Sequence, residues 1–170
     1  MMETKTVVIR AGRASDLAAL TEIYNHYVET TASTFDVLPY TPEGRRNWFS
    51  QFSEEGPYRL IVTELGGVVV GYATSTRYRE KAAYCSSIET EIYMAPSACG
   101  QGLGRRLYEA LFDSLRGEDV HRAFAGLTMP NEQLLALHRS LGFEKTGVLR
   151  EAARKFGRYW DVAWLAKELR

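Results

Sequence analysis

Three glycines fall within five positions of IYMAPSACGQGLGRRLYEAL, residues 92–111: Gly100, Gly102 and Gly104. An apolar run precedes them and an amphipathic helical run follows. The first turn of a helix carries unpaired N–H groups and a partial positive charge. Glycines just ahead of it let a bulky anion approach the backbone. A pyrophosphate suits such a joint, and Arg105 and Arg106 add cationic side chains at once. A P-loop needs Gly-Lys followed by Ser or Thr, whereas Gly104 is followed by two arginines. A dinucleotide fingerprint needs G-x-G-x-x-G early in a βαβ unit; here the spacing is G-x-G-x-G, deep in the chain. The alternative to an anion site is a tight turn that holds nothing. A second cluster lies upstream. SIETE places Glu89 and Glu91 two residues apart, on one face of a strand. Such a pair can do general acid–base work, or simply face solvent.

These groups need a scaffold, and the chain is long enough to build one. Its 170 residues predict a single domain over 1–170 that buries roughly two-thirds of its unfolded surface. Hydrophobic content of 45% and charged content of 25% are ordinary for a globular protein. A net charge of zero gives no footprint for nucleic acid. No apolar run nears the ~20 residues of a membrane span, and the N-terminus lacks a signal-peptide core. Cys85 and Cys99 fit no metal spacing. These features predict a cytoplasmic protein without a metal, a nucleic-acid partner or a membrane partner.

Along the chain, 4–12 reads as a strand and 14–31 as a helix capped by Ser15 or Asp16. A proline-containing loop at 33–44 leads to a second helix opened by Thr41-Pro42 and running through Phe52. Strands at 58–64 and 68–78 join at Gly66-Gly67 as a hairpin. A strand at 84–94, a helix at 102–117 ended by Gly117, a strand at 121–128 and a helix at 131–142 capped by Asn131 follow. Two closing strands occupy 143–153 and 159–169. Strands outnumber helices and follow one another directly in the middle of the chain. The prediction is an α+β fold with a mixed, mostly antiparallel sheet of six to seven strands and about four helices.

IYMAPS followed by CGQGLG resembles the acetyl-CoA site of the GCN5-related N-acetyltransferase (GNAT) superfamily, with Cys99 in place of the usual Arg or Gln. EIYNHYVETTASTFD, GYATSTRYREKAAY, IETEIYM, LHRSLGF and KFGRYWDV are similar to segments of its phosphinothricin and methionine sulfoximine acetyltransferase subgroup, in the same order. The resemblance runs from about residue 7 to 168.

The resemblance implies a GNAT fold in which two strands splay apart and admit the pantetheine of acetyl-CoA. The strand ending Ile92-Tyr93-Met94 would pair with its amides, and the backbone of Gly100, Gln101, Gly102, Leu103, Gly104 and Arg105 would hold the diphosphate. Asn131 and Ser140 fall at cofactor contacts, while Leu134 replaces a frequent Ser. The implied reaction is attack of an amine on a thioester. Glu89 matches the general base, with Glu91 as a supporting or reserve carboxylate in the acceptor site. An amide near Tyr93 or Met94 would face the oxyanion. Tyr108 is a candidate thiolate acid or a packing residue; His138 is a candidate for the oxyanion or cofactor, or a core histidine. Arg79 and Lys81 would bind an acceptor carboxylate or phosphinate, and Phe35 would wall the pocket. Lys155 and Tyr159 would close it, across a homodimer. The implied acceptor is a small amino-acid-like amine such as phosphinothricin, methionine sulfoximine or methionine sulfone. A polyamine, peptide N-terminus or antibiotic amine is the alternative within the fold, and a non-catalytic acyl-CoA sensor is the alternative outside catalysis.

Overall fold

The computed structural model describes residues 6–169; positions 4 and 5 of the predicted first strand lie outside them. Strand β1 (Val7–Ala11) leads to helix α1 (Leu17–Thr30). A 3-10 turn at Glu43–Arg45 opens the short helix α2 (Arg46–Phe49). Strands β2 (Leu60–Leu65), β3 (Val68–Arg77) and β4 (Ser87–Met94) form a meander, then helix α3 (Leu103–Ser114) crosses to strand β5 (Arg122–Met129). Helix α4 (Glu132–Ser140) and strands β6 (Glu144–Lys155) and β7 (Arg158–Glu168) complete the chain. The seven strands lie in the order β1-β2-β3-β4-β5-β7-β6. Every neighbouring pair is antiparallel except β4 and β5. The predicted mixed sheet with four helices is therefore present.

Alternation along the strands divides the core in two. Ala73, Ile88, Met94, Ala123, Ala125 and Leu165 pack on Leu107 and Leu111 of α3 and Leu135 of α4. On the other face Tyr72, Tyr93 and Val62 pack on Leu20 and Ile23 of α1 and Trp48 of α2. No helix among the described residues is long and apolar enough to cross a membrane.

Three local expectations change. The Asp16 side chain makes no cap bond to α1 and closes a capping box on the preceding 3-10 turn, Ala14–Asp16, instead. Its carboxylate accepts the Arg13 N–H at 2.7 Å and pairs with Arg10 at 2.7 Å, so α1 starts only at Leu17. The second helix is far shorter than 41–52. Thr41 Oγ1 does accept the Gly44 N–H, at 3.1 Å, but glycine in the first turn is a weak helix former and the chain bends out at Ser50. The strand expected from residue 84 begins at Ser87, because Ala82–Tyr84 close a 3-10 turn.

Leu111 is fully buried where α3 meets the sheet. Leu111→Ala should lower the unfolding free energy in urea by about 2–5 kcal/mol.

Candidate active site

β4 and β5 pair only through Ser87↔Arg122, Ile88↔Ala123 and Glu89↔Phe124, and then part. Thr90 Oγ1 donates to the Phe124 carbonyl at 3.3 Å in the crotch of this fork. β4 continues along β3 as far as Met94. The Ala95 N–H reaches the Val70 carbonyl at 2.7 Å, so residues 91, 93 and 95 turn their backbone groups to β3. The Ser86 carbonyl accepts the His121 N–H at 2.8 Å, so the even-numbered residues turn to β5. Beyond the fork Ile92 N–H, Ile92 C=O and Met94 N–H thus face an open gap. Tyr27 Oη donates to the Met94 carbonyl at 2.6 Å.

This parity corrects one expectation. The Tyr93 backbone belongs to the pair with Tyr72 and is not offered to the gap. Ile92 and Met94 are the backbone donors available to an extended ligand or an oxyanion. The Tyr93 ring packs edge-on against Tyr24 and Tyr27, at 5.1 and 5.2 Å between centroids.

The gap opens into a cleft of about 380 Å³ bounded by β4, the glycine loop, α3 and α4. Gly100 and Gly102 both adopt φ of 74°, a left-handed backbone that favours glycine, and Gly102 is the residue on which α3 begins. Gly104 is required neither by its backbone nor by crowding: a Cβ there would make ordinary contacts, 3.5 Å from Ile92 and 3.6 Å from Leu137. An uncrowded left-handed turn at a helix N-terminus, open to the cleft, fits a diphosphate. Gln101 and Leu103 can add only backbone amides. The Gln101 side chain donates to the Ser97 carbonyl at 2.9 Å, and the Leu103 side chain is in the core. Arg105 sits on the rim, where Glu109 holds its Nε at 2.8 Å. Asn131 Oδ1 accepts the Leu134 N–H at 3.1 Å, which leaves its amide NH₂ for the cleft. Ser140 is not on the cleft wall. Its hydroxyl donates to the Leu137 carbonyl at 2.8 Å, which turns the side chain back on its own helix.

Tyr108 and His138 meet inside the cleft. His138 Nδ1 lies 2.8 Å from the Leu134 carbonyl, which can only accept, so Nδ1 carries the proton. Burial pushes the His138 pKa down and favours the neutral ring. Nε2 is then a bare acceptor, and Tyr108 Oη donates to it across 3.1 Å. Burial also holds the Tyr108 pKa above the ordinary phenol range. With His138 neutral, the Tyr108 proton points at the imidazole rather than into the cleft. This arrangement disfavours Tyr108 as the direct thiolate acid.

Both predicted carboxylates line the cleft half-buried, and neither makes a hydrogen bond or ion pair among the described residues. Burial raises the Glu89 pKa, opposed by the charge of Arg79. Glu91 is pushed up to about 7, first by burial and then by the neighbouring Glu89. Arg79 reaches Glu89 electrostatically from outside the cleft wall. Its guanidinium lies 4.7 Å over the Tyr78 ring, which stacks on Phe124 at 4.2 Å. Lys81 is exposed and contributes its carbonyl to the turn at Tyr84. Phe35 and Tyr159 are also exposed and lie off the cleft wall in a single chain. Lys155 is buried, but it does not reach the cleft. Nζ donates to the Thr34 carbonyl at 2.8 Å, tying the end of β6 to the loop after α1.

Several groups here escape a reading of the sequence. Tyr24 Oη donates to Asp36 Oδ2 at 2.6 Å and touches Thr34 Oγ1 at 2.7 Å. Arg45 is 5% exposed. Its guanidinium lies 3.6 Å from the Trp48 ring centroid and 4.4 Å from that of Tyr24. Only the aromatic residues around Arg45 hinted at this, and they read equally well as core.

Comparison with known proteins agrees with this geometry. The family model described as an acetyltransferase (GNAT) domain matches residues 9–164. A phosphinothricin N-acetyltransferase of Streptomyces coelicolor is 51% identical, covering 99% of this chain and all of the relative. An L-methionine sulfoximine/L-methionine sulfone acetyltransferase of Salmonella typhimurium is 34% identical over 96% of this chain and 95% of its own. The crystal structure of yncA, a putative acetyltransferase from Salmonella typhimurium with its cofactor acetyl-CoA, superposes with a TM-score of 0.91 at 34% identity, over 96% of this chain and 94% of that one. With the forked sheet, the left-handed glycine turn and a match across most of its length, the chain belongs to the GNAT acetyltransferase family.

Proposed function

We propose that the protein is an acetyl-CoA-dependent N-acetyltransferase acting on the α-amine of a small amino-acid-like acceptor of the phosphinothricin, methionine sulfoximine or methionine sulfone type, with residues 1–170 working as one domain. The carrying observation is a single cleft with the left-handed glycine turn at one end and two partnerless carboxylates at the other. Relatives acting on phosphinothricin and on methionine sulfoximine support the acceptor class.

The residues divide the work along the fork. Backbone N–H groups over 100–105 face the diphosphate, and Ile92 and Met94 offer strand-like pairing to the pantetheine amides. Acetyl-CoA supplies the acetyl group as a thioester. An α-amine is mostly protonated at pH 7, so a base must take a proton before nitrogen can attack. The carboxylates on the cleft wall are placed for proton removal, with Glu89 as the base that serves the attacking nitrogen. Met94 N–H or Ile92 N–H is aimed where negative charge develops on the carbonyl oxygen. Arg79, beside Glu89, suits the acceptor's own carboxylate.

The acceptor side extends to a second copy of the chain. β6 is a 12-residue edge strand, exposed almost throughout, with Val148 43% and Leu149 54% accessible. A long uncovered edge invites pairing. A homodimer through this edge would bring further groups over Phe35 and Tyr159. Two exposed free thiols, Cys85 and Cys99, support a reducing, cytoplasmic setting.

Acetyl-CoA at 100 times its Kd should stabilise the protein by about 2.7 kcal/mol, read as a rise in Tm. Thiol release should then appear with methionine sulfoximine or phosphinothricin; binding without turnover of any amine would make the protein a sensor instead. Glu89→Gln should lower kcat by roughly 10²–10⁴-fold while the acetyl-CoA shift in Tm persists. Because burial raises the Glu89 pKa, its basic form is lost as pH falls through that raised value, so activity should decline on the acid side. Leu149→Arg should convert dimer to monomer in light scattering; a wild type already monomeric would remove the dimer from this reading.

A further inference from the structure

Glu91, so far only a supporting or reserve carboxylate, stands on the cleft wall without a partner, and two of the buried hydroxyls that lack one lie on the neighbouring strand. Its carboxylate lies on the cleft wall on the same strand face as Glu89. Directly across β3 from it stands Thr74, fully buried, whose Oγ1 has no hydrogen-bond partner. Two positions along β3 on the same face is Tyr72, also fully buried, whose Oη faces the Arg45 guanidinium without a hydrogen bond of ordinary geometry. A buried hydroxyl without a partner is costly, so native proteins keep few of them. Neither hydroxyl lines the cleft, so of these groups the Glu91 carboxyl is the one that can meet a guest.

A partnerless carboxylate on a cleft wall suits an ammonium group, which has N–H bonds to give and nothing to accept. We propose that Glu91 is a catalytic residue that removes the first proton from the acceptor's ammonium group, leaving Glu89 to take the second as nitrogen attacks. This rests on the acyl-transfer reading above. The protons balance: one N–H bond of R–NH₃⁺ breaks and an O–H bond forms on Glu91, which later loses that proton to solvent. The second leaves nitrogen for Glu89 as the C–N bond forms and the C–S bond breaks, and it ends on the departing thiolate.

The charged and titratable neighbours are consistent with this division. Glu89 and buried Tyr93 share β4 with Glu91, and Tyr72 faces it from β3. Tyr24 of α1 and Asp36 of the following loop lie on one side, with Lys155 beyond Asp36. Arg45 opposes the acids with its positive charge, and Tyr108 of α3 lies behind the fork. Burial and the like charge of Glu89 put Glu91 at about 7, a closer match to an amine than an ordinary glutamate.

The test compares kcat/KM for wild type and Glu91→Gln at pH 7 and pH 9.5. At pH 7 the variant should be about 100-fold slower. At pH 9.5, where a far larger share of the α-amine arrives already neutral, the deficit should shrink to about tenfold or less. The wild-type acid limb should inflect near 7, and that of the variant should move alkaline to follow the amine. Equal loss at both pH values, or an unmoved limb, would overturn the proposal. An unchanged Tm rise with acetyl-CoA shows that Glu91→Gln still folds. A second measurement is independent of turnover, so failure of the acyl-transfer reading can be told apart. Carbon-13 spectra of the glutamate carboxyls in the ligand-free protein should show one titrating near pH 7, missing in Glu91→Gln; if every carboxyl titrates below pH 5, Glu91 is an ordinary acid and the proposal fails.

Discussion

The parting of β4 from β5 after Glu89 is the constraint on which the rest depends. Strands in a sheet satisfy their backbone groups by lying side by side, and an unpaired buried amide is costly. This sheet gives up that pairing in its middle, where neither strand is an edge. The fork survives because each arm is held on its outer side: β4 by β3 as far as Met94, β5 by β7 over its whole length. The Tyr27 hydroxyl satisfies one of the freed carbonyls. What is left over, Ile92 and the Met94 amide, is a short stretch of strand edge inside the molecule. A ligand that is itself strand-like, with amides at regular spacing and an anion at one end, completes it.

The same fork separates two chemistries. Even-numbered side chains of β4 point toward α3 and join its core, while Glu89, Glu91 and Tyr93 point toward α1. Carbonyl chemistry in the gap therefore has apolar packing and the Tyr108–His138 pair on one side, and carboxylates on the other. Neutral His138 keeps the phenol proton of Tyr108 turned inward, which makes the α3 side poor in free protons. The β4 carboxylates, short of hydrogen-bond partners, are where proton traffic has room to occur.

Local signals in the sequence sufficed for much of this. The seven strands and four helices follow from periodicity and turn residues. Gly100 and Gly102 are legible because a left-handed turn at a helix start favours that residue. The pairing of Glu89 and Glu91 on one face is legible because alternation needs only a strand. Tyr93 was misplaced for the complementary reason. Which face a side chain takes can be counted along a strand, but which neighbour its amide takes depends on register with β3 and β5. Ser140 shows a similar limit: its hydroxyl donates to the Leu137 carbonyl of its own helix, a contact the local pattern does not announce.

The remaining gap in legibility is lopsided, and the fold explains why. Everything expected to face the diphosphate and pantetheine comes from one continuous stretch, residues 92–105, plus the start of α4. The acceptor side is assembled from α1, the loop at 31–40, the turn at Arg45, β3, β4 and the end of β6. Its contacts join residues far apart in sequence, such as Lys155 to Thr34 and Tyr27 to Met94. No local pattern encodes such pairs. Arg45 is the sharpest example: a buried guanidinium against Trp48 and Tyr24 has no sequence signature beyond an arginine among aromatics. A continuous segment can be kept while the scattered one is rebuilt residue by residue. Within this fold, acceptor choice can therefore change without disturbing the grip on the acyl donor.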